Sequence, residues 1–193
     1  MSAATEAQTP TDSALMQRVR AGELDQLAEL FERHHRRLYQ FFVRLARDRG
    51  AAEDLVQEVF MRLIKYRHTF RYEAEFVPWM FALARNAAVD HFRARGRDSK
   101  RDAAAAPDVR AVVPPLAVER LEELERATQL RAALDLLAPD KREVVLLARF
   151  GELRHDRIAS MLGISPGAVR ARLHRALKEL REAYRQVTAE ELP

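Results

Sequence analysis

Between Gly96 and Pro115 the apolar rhythm that runs through the rest of this chain stops. The stretch GRDSKRDAAAAPDVRAVVPP carries three prolines, an alanine run and no helical period, the marks of a linker. On either side apolar residues recur at helical spacing, and no convincing strand alternation appears. The expected fold is all-α, with two small helical domains joined by a flexible linker. The boundaries read as a disordered tail at 1–11, a first helical domain at 12–97, the linker at 98–115, a second helical domain at 116–187 and a tail at 188–193. Fully extended, at ~3.3–3.6 Å per residue, the linker reaches roughly 65–70 Å.

An apolar fraction of 48% is enough for two packed cores. No apolar run approaches the ~20 residues of a membrane span, and the polar start lacks the order of a secretory signal; the expected location is the cytoplasm. The absence of cysteine rules out disulfides and thiolate metal sites. His34 and His35 are adjacent, so on a helix their rings diverge by ~100° and do not suit one metal ion. No nucleophile–base pair, metal cluster or phosphate loop is evident, so neither catalysis nor a cofactor is expected. The net charge of +4 is modest, but its placement is uneven: Ser165 to Arg185 holds six Lys/Arg against two Glu, whereas Glu119 to Glu143 holds seven acids against five bases. Such polarity offers one end to phosphate.

In the first block, Asp12 or Ser13 can cap a short helix that Gly22 ends. Leu24, Leu27, Phe31, Leu38, Phe42 and Leu45 mark one face of a long second helix. A third spans roughly Ala52 to Arg67, with Leu55, Val56, Val59, Phe60, Leu63 and Ile64 inward. Its opposite stripe is Asp54, Gln57, Glu58, Met61 and Lys65; a methionine amid polar residues suits partner docking. From His68 onward aromatics interleave with bases. Phe70, Arg71 and Tyr72 lie in or beside a loop, and Asn86, Asp90, Arg93 and Arg97 form one polar stripe on a fourth helix, roughly Pro78 to Arg95. Aromatic rings stack on unpaired bases, arginines hold the backbone, and an amide reads a base edge. Trp79 fits two readings, on the Asn86 stripe or in the apolar start of the helix.

The second block contains the most specific signal, Arg157 to Leu177 (RIASMLGISPGAVRARLHRAL). Pro139 is placed to begin a helix, and Gly151 and Gly163 to stop helices. Ser165 is a good N-cap and Pro166 suits the first turn. Val169, Leu173, Ala176, Leu177 and Leu180 are expected to face inward. Gly167, Ala168, Ala171, His174, Arg175 and Lys178 then face outward, flanked by Arg170 and Arg172. Small residues at the start of a helix followed by arginines are what a recognition helix in a major groove requires. The turn chemistry therefore predicts a helix-turn-helix.

These segments resemble extracytoplasmic-function (ECF) sigma factors of bacterial RNA polymerase. LAPDKREVVLLARF with IASMLGISPGAVRARLHRALKELRE is similar to the domain that reads the promoter −35 element. AEDLVQEVF is similar to the segment that grips the clamp coiled coil of the polymerase's largest subunit, and FxxWMFALARNAAVDHFR to the −10 reader. The resemblance implies core contacts from Asp54, Gln57, Glu58 and Met61. It implies −10 contacts from Phe70, Arg71, Tyr72, Asn86, Asp90 and Arg93, with Phe70 and Asn86 at a pocket for a flipped base. It implies −35 contacts from Ser165, Gly167, Ala168, Arg170, Ala171, Arg172, His174, Arg175 and Lys178. Arg157 stands where the family usually carries an acid, and Ala168 and Ala171 replace hydroxylated residues, so the preferred −35 sequence is not legible. The implied partners are core RNA polymerase (clamp coiled coil and flap), promoter DNA and an anti-sigma factor. The implied element spacing of about seventeen base pairs is roughly 58 Å at ~3.4 Å per step, within the linker's reach. The rival reading is a stand-alone helix-turn-helix regulator that binds duplex DNA without polymerase.

Overall fold

A computed structural model describes residues 9–98 and 118–190; most of the expected linker and both extreme termini lie outside them. Among the described residues there are eight α-helices and one 3₁₀ turn: α1 (Asp12–Ala21), α2 (Gln26–Ala46), α3 (Arg49–Lys65), the turn Arg67–Thr69, α4 (Phe76–Asp98), α5 (Val118–Asp135), α6 (Pro139–Gly151), α7 (His155–Leu162) and α8 (Pro166–Glu190). The all-α expectation holds. The last helix runs three residues beyond the expected end at Val187.

Local chemistry sets most boundaries. Thr11, not Asp12 or Ser13, caps α1 by accepting from the Ala14 N–H, and Gly22 ends it at φ 110°. Asp12 is thereby released to bind Arg33 and His34 on α2. Ser13 does cap a helix, but a distant one: its hydroxyl accepts from the Phe76 N–H at the start of α4 and donates to Ala74 O. Asp48 caps α3 through the Ala51 N–H, which is why that helix begins three residues before the expected Ala52. Pro139 occupies the first turn of α6 as predicted, but Gly151 stays helical and Glu152 takes the left-handed position at φ 47°. A Cβ at Gly151 would strike the Leu153 side chain at 2.7 Å, so that glycine serves a close approach.

The first block buries Leu15, Leu30, Leu38, Phe41, Phe42, Leu55, Val59, Leu63 and Phe81, and the second buries Val144, Leu146, Leu147, Ile158, Val169 and Ala176. Leu24 and Phe31, expected on the apolar face of the second helix, are exposed: Leu24 falls in the turn before α2, which starts at Gln26, and Phe31 packs on Phe60 and His35. Leu177 is likewise exposed. The two blocks are not held apart. α6 lies along α2, and the buried residues of both form one cluster. Ion pairs cross the junction at Arg37–Glu152 (3.3 Å), Arg47–Asp135 (2.7 Å), Arg85–Glu143 (2.9 Å) and Arg157–Glu75 (3.4 Å).

Candidate functional site

Three surfaces carry the candidate residues. On α3 the buried Leu55, Val56, Val59 and Leu63 fix the rotation of the helix, leaving Asp54, Gln57, Glu58 and Met61 exposed on the opposite side. Met61 is 63% exposed, far more than a core filler would be. Glu58 is the one member with a partner recorded on its own helix, Arg62 at 2.6 Å.

The second surface surrounds the loop between the 3₁₀ turn and α4. Here one expectation is corrected. Phe70 does not present its ring: it is wholly buried, packed on Trp79 at 5.0 Å and edge-on to Phe76 at 6.4 Å. An apolar ring flanked by other rings gains more from burial than from a wet loop. Phe70 therefore anchors the loop from beneath, and Tyr72, 81% exposed, is the ring left free to stack. Trp79 packs on Phe70 and, apart from the cavity that Asn86 lines, also lines one of about 580 Å³ beside Arg71 and Tyr72. The far wall of that cavity belongs to the second block, through Arg157, Ser160 and Met161. Gln17 on α1 steadies the loop by donating to Arg71 O at 3.1 Å. Gln17 carries no sequence signal beyond polarity on an amphipathic helix, and turn chemistry offers Ser13 only as a cap for α1, not for α4.

Asn86, Asp90 and Arg93 are exposed on α4 and line a second cavity of about 500 Å³ with Tyr66, Thr69 and Arg62. Asp90 is paired with Arg62 at 3.0 Å. The side chain of Arg97 lies outside the described ones. His34 and His35 turn to different neighbours. His34 is buried and meets Asp12 at 2.7 Å, while His35 stacks on Phe31. Among the described residues no group of three or more His, Cys, Asp or Glu is placed to hold a metal.

The third surface is the α7–α8 corner. Gly163 ends α7 in the left-handed conformation at φ 66°, and the Ser165 hydroxyl accepts from the Ala168 N–H at 3.1 Å, as the turn chemistry predicts. Ser165, Gly167, Arg170, Ala171, His174, Arg175 and Lys178 are exposed and Ala168 is half-buried. Arg172 turns back to Asp140 on α6 at 3.5 Å, so of the two flanking arginines it is the less open.

Residues 30–98 match the family described as Sigma-70 region 2, and residues 127–180 match Sigma-70, region 4. The two matches in this order define the class, a sigma-70-type transcription initiation factor. The chain is 35% identical over 183 residues to RNA polymerase sigma factor CarQ of Myxococcus xanthus, covering 91% of this chain and 98% of that protein. It is 31% identical over 170 residues to the ECF RNA polymerase sigma factor SigX of Bacillus subtilis, covering 84% and 85%. The fold is shared with the sigma factor RpoE of Bartonella quintana in complex with the anti-sigma factor NepR (TM-score 0.67, 23% identity, 82% of this chain and 96% of that one). It is shared also with CnrH in complex with the cytosolic domain of CnrY (TM-score 0.64, 23% identity, 89% and 95%). This chain belongs to the ECF family of RNA polymerase sigma factors.

Proposed function

We propose that this protein binds core RNA polymerase through Asp54, Gln57, Glu58 and Met61 on α3, and directs it to promoters by reading two DNA elements. The observation that carries this reading is the exposed α3 stripe, which no helix among the described residues covers, while its other face packs into the core. In this reading the block at 12–97 binds core and the −10 element, and the block at 116–187 binds the −35 element.

The duplex element is met by the start of α8. Gly167, Ala168 and Ala171 let the helix approach base edges, Arg170, His174 and Arg175 donate to bases or phosphates, and Ser165, Arg172 and Lys178 lie at the phosphate margins. The −10 strand is met by Tyr72 and Arg71 on the loop and by Asn86 and Arg93 on α4, with Asp90 and the buried Phe70 shaping the site. Capturing unpaired bases there stabilises melted DNA relative to duplex. The chain performs no bond chemistry in this scheme; it acts in the cytoplasm, where the polymerase is. RpoE of Bartonella quintana was solved in complex with the anti-sigma factor NepR, which supports an anti-sigma partner for this chain also.

The test is transcription from genomic fragments by purified core polymerase with and without the protein. New start sites are expected with it present, and D54A/Q57A/E58A is expected to weaken core binding while keeping the helical spectrum. Unchanged start sites, or tight duplex binding with no affinity for core, would replace this reading with that of a stand-alone regulator.

A further inference from the structure

One side chain joins the α3 stripe to the α4 stripe. Arg62, on the inner flank of α3, donates from Nε to Glu58 Oε1 at 2.6 Å, one turn back on its own helix. From Nη2 it donates to Asp90 Oδ2 at 3.0 Å, across on α4. The Arg62 side chain is 18% exposed, whereas both carboxylates are open to solvent. Two exposed ion pairs would contribute little, but a largely covered guanidinium fork serving two acceptors fixes the direction of both. Burial works against the charge of Arg62, and the two carboxylate hydrogen bonds outweigh it, holding its pKa above the ordinary value. Arg62 also lines the cavity beside Asn86, which lies one helical turn before Asp90.

We infer that Arg62 is a positioning residue that couples polymerase binding at Glu58 to the capture of unpaired DNA in the Asn86–Asp90 cavity. The inference rests on the proposed function of those two stripes. A cation of the docking partner that engages Glu58 withdraws one of the two acceptors Arg62 serves. The guanidinium is then committed to Asp90 alone, which alters the charge and shape of the cavity wall. Such coupling is reciprocal, so DNA in the cavity must tighten core binding by the factor by which core tightens DNA binding.

The test is a thermodynamic cycle on the full chain. The probes are purified core polymerase and a forked DNA whose unpaired strand carries the −10 segment of a promoter mapped by transcription with the unaltered protein. Core affinity is measured with and without the fork. For the unaltered chain the fork is expected to tighten core binding, and in R62Q that enhancement is expected to shrink about tenfold. R62K keeps the charge without the two-pronged fork; it is expected to restore the thermal midpoint but not the enhancement, a separation that a purely structural role would not produce. Full enhancement in both variants overturns the inference and leaves the two surfaces standing. If R62Q does not fold, E58Q and D90N take its place beside R62K, and full enhancement in all three is the overturning result. No core binding by the unaltered chain removes the proposed function itself, and this inference with it.

Discussion

Two polar residues in the interior, His34 and Arg142, show how single side chains hold this fold. His34 sits against Asp12, and Arg33 donates to the other Asp12 oxygen at 2.8 Å. Burial pushes the His34 pKa below its ordinary 6.5, outweighing the attraction of Asp12. Burial also opposes the charge on Asp12, but hydrogen bonds from Arg33 and His34 outweigh it and hold that carboxyl below its ordinary 3.8. Both folded values are depressed, so the unfolded chain binds more protons and both contributions are lost as pH falls. The His34 contribution is complete above 6.5 and declines as pH drops through its lower folded value. The thermal midpoint is expected to fall between pH 7.5 and 5.5, with a shallower slope in H34N, which keeps a polar contact to Asp12 without titrating; equal slopes would refute this. Arg142 is buried on α6 and donates to Leu134 O, Asp135 O and Leu137 O at 2.8, 2.9 and 3.1 Å. It thereby adds a donor to carbonyls at the end of α5, where Leu134 O also accepts from the Leu137 N–H and Asp135 O from Arg47. R142A leaves the buried Leu137 O without its donor and is expected to cost about 2 kcal/mol of stability by denaturant unfolding.

At the scale of the element, the corner between α7 and α8 depends on two residues at fixed places. Gly163 adopts a backbone conformation that costs L side chains energy, and Ser165 satisfies an amide that would otherwise face solvent unpaired. S165A and G163A are each expected to cost about 1 kcal/mol in chemical denaturation. Because the cap orients the start of α8, S165A should also weaken promoter binding by the holoenzyme. R175A probes the exposed face of the same helix. If Arg175 reaches phosphate, its loss should weaken binding across sequences and lower the salt slope by about one. An unchanged slope together with altered base preference would instead place it on a base edge.

Across the whole molecule, the junction between the blocks combines apolar packing of α6 on α2 with a set of ion pairs. Arg37, Arg47 and Arg85 on the first block meet Glu152, Asp135 and Glu143 on the second, and Arg157 returns the pairing to Glu75. Arg37 also donates to Phe150 O, and the Arg44 guanidinium lies over the Phe150 ring at 4.9 Å. In this arrangement α7 walls the cavity beside Tyr72 and Trp79. In the proposed function the chain reads two elements roughly 58 Å apart; that reading requires its blocks to separate and makes this closed form one of two arrangements. Pairs this accessible are screened by salt. Small-angle scattering is expected to show a larger radius of gyration at high ionic strength, and R37A/R47A should enlarge the particle already at low salt. A radius indifferent to both would mean that apolar packing alone closes the molecule.

Periodicity and turn chemistry, which act over a few neighbouring residues, were enough to determine the all-α class, the left-handed stops at Gly22 and Gly163, the Ser165 cap and the exposed stripe on α3. Motif resemblance supplied the family. What lay beyond the sequence depends on which residues distant in the chain become neighbours. Phe70 and Tyr72 are two positions apart and both aromatic, yet one is core and the other is open, because Phe76 and Trp79 close over only the first. Only the tertiary structure put Arg62 between carboxylates from two helices, turned Arg172 towards Asp140 and brought α6 onto α2. Helical spacing states which side of a helix is apolar; it does not state what covers that side, and burial is decided by the cover.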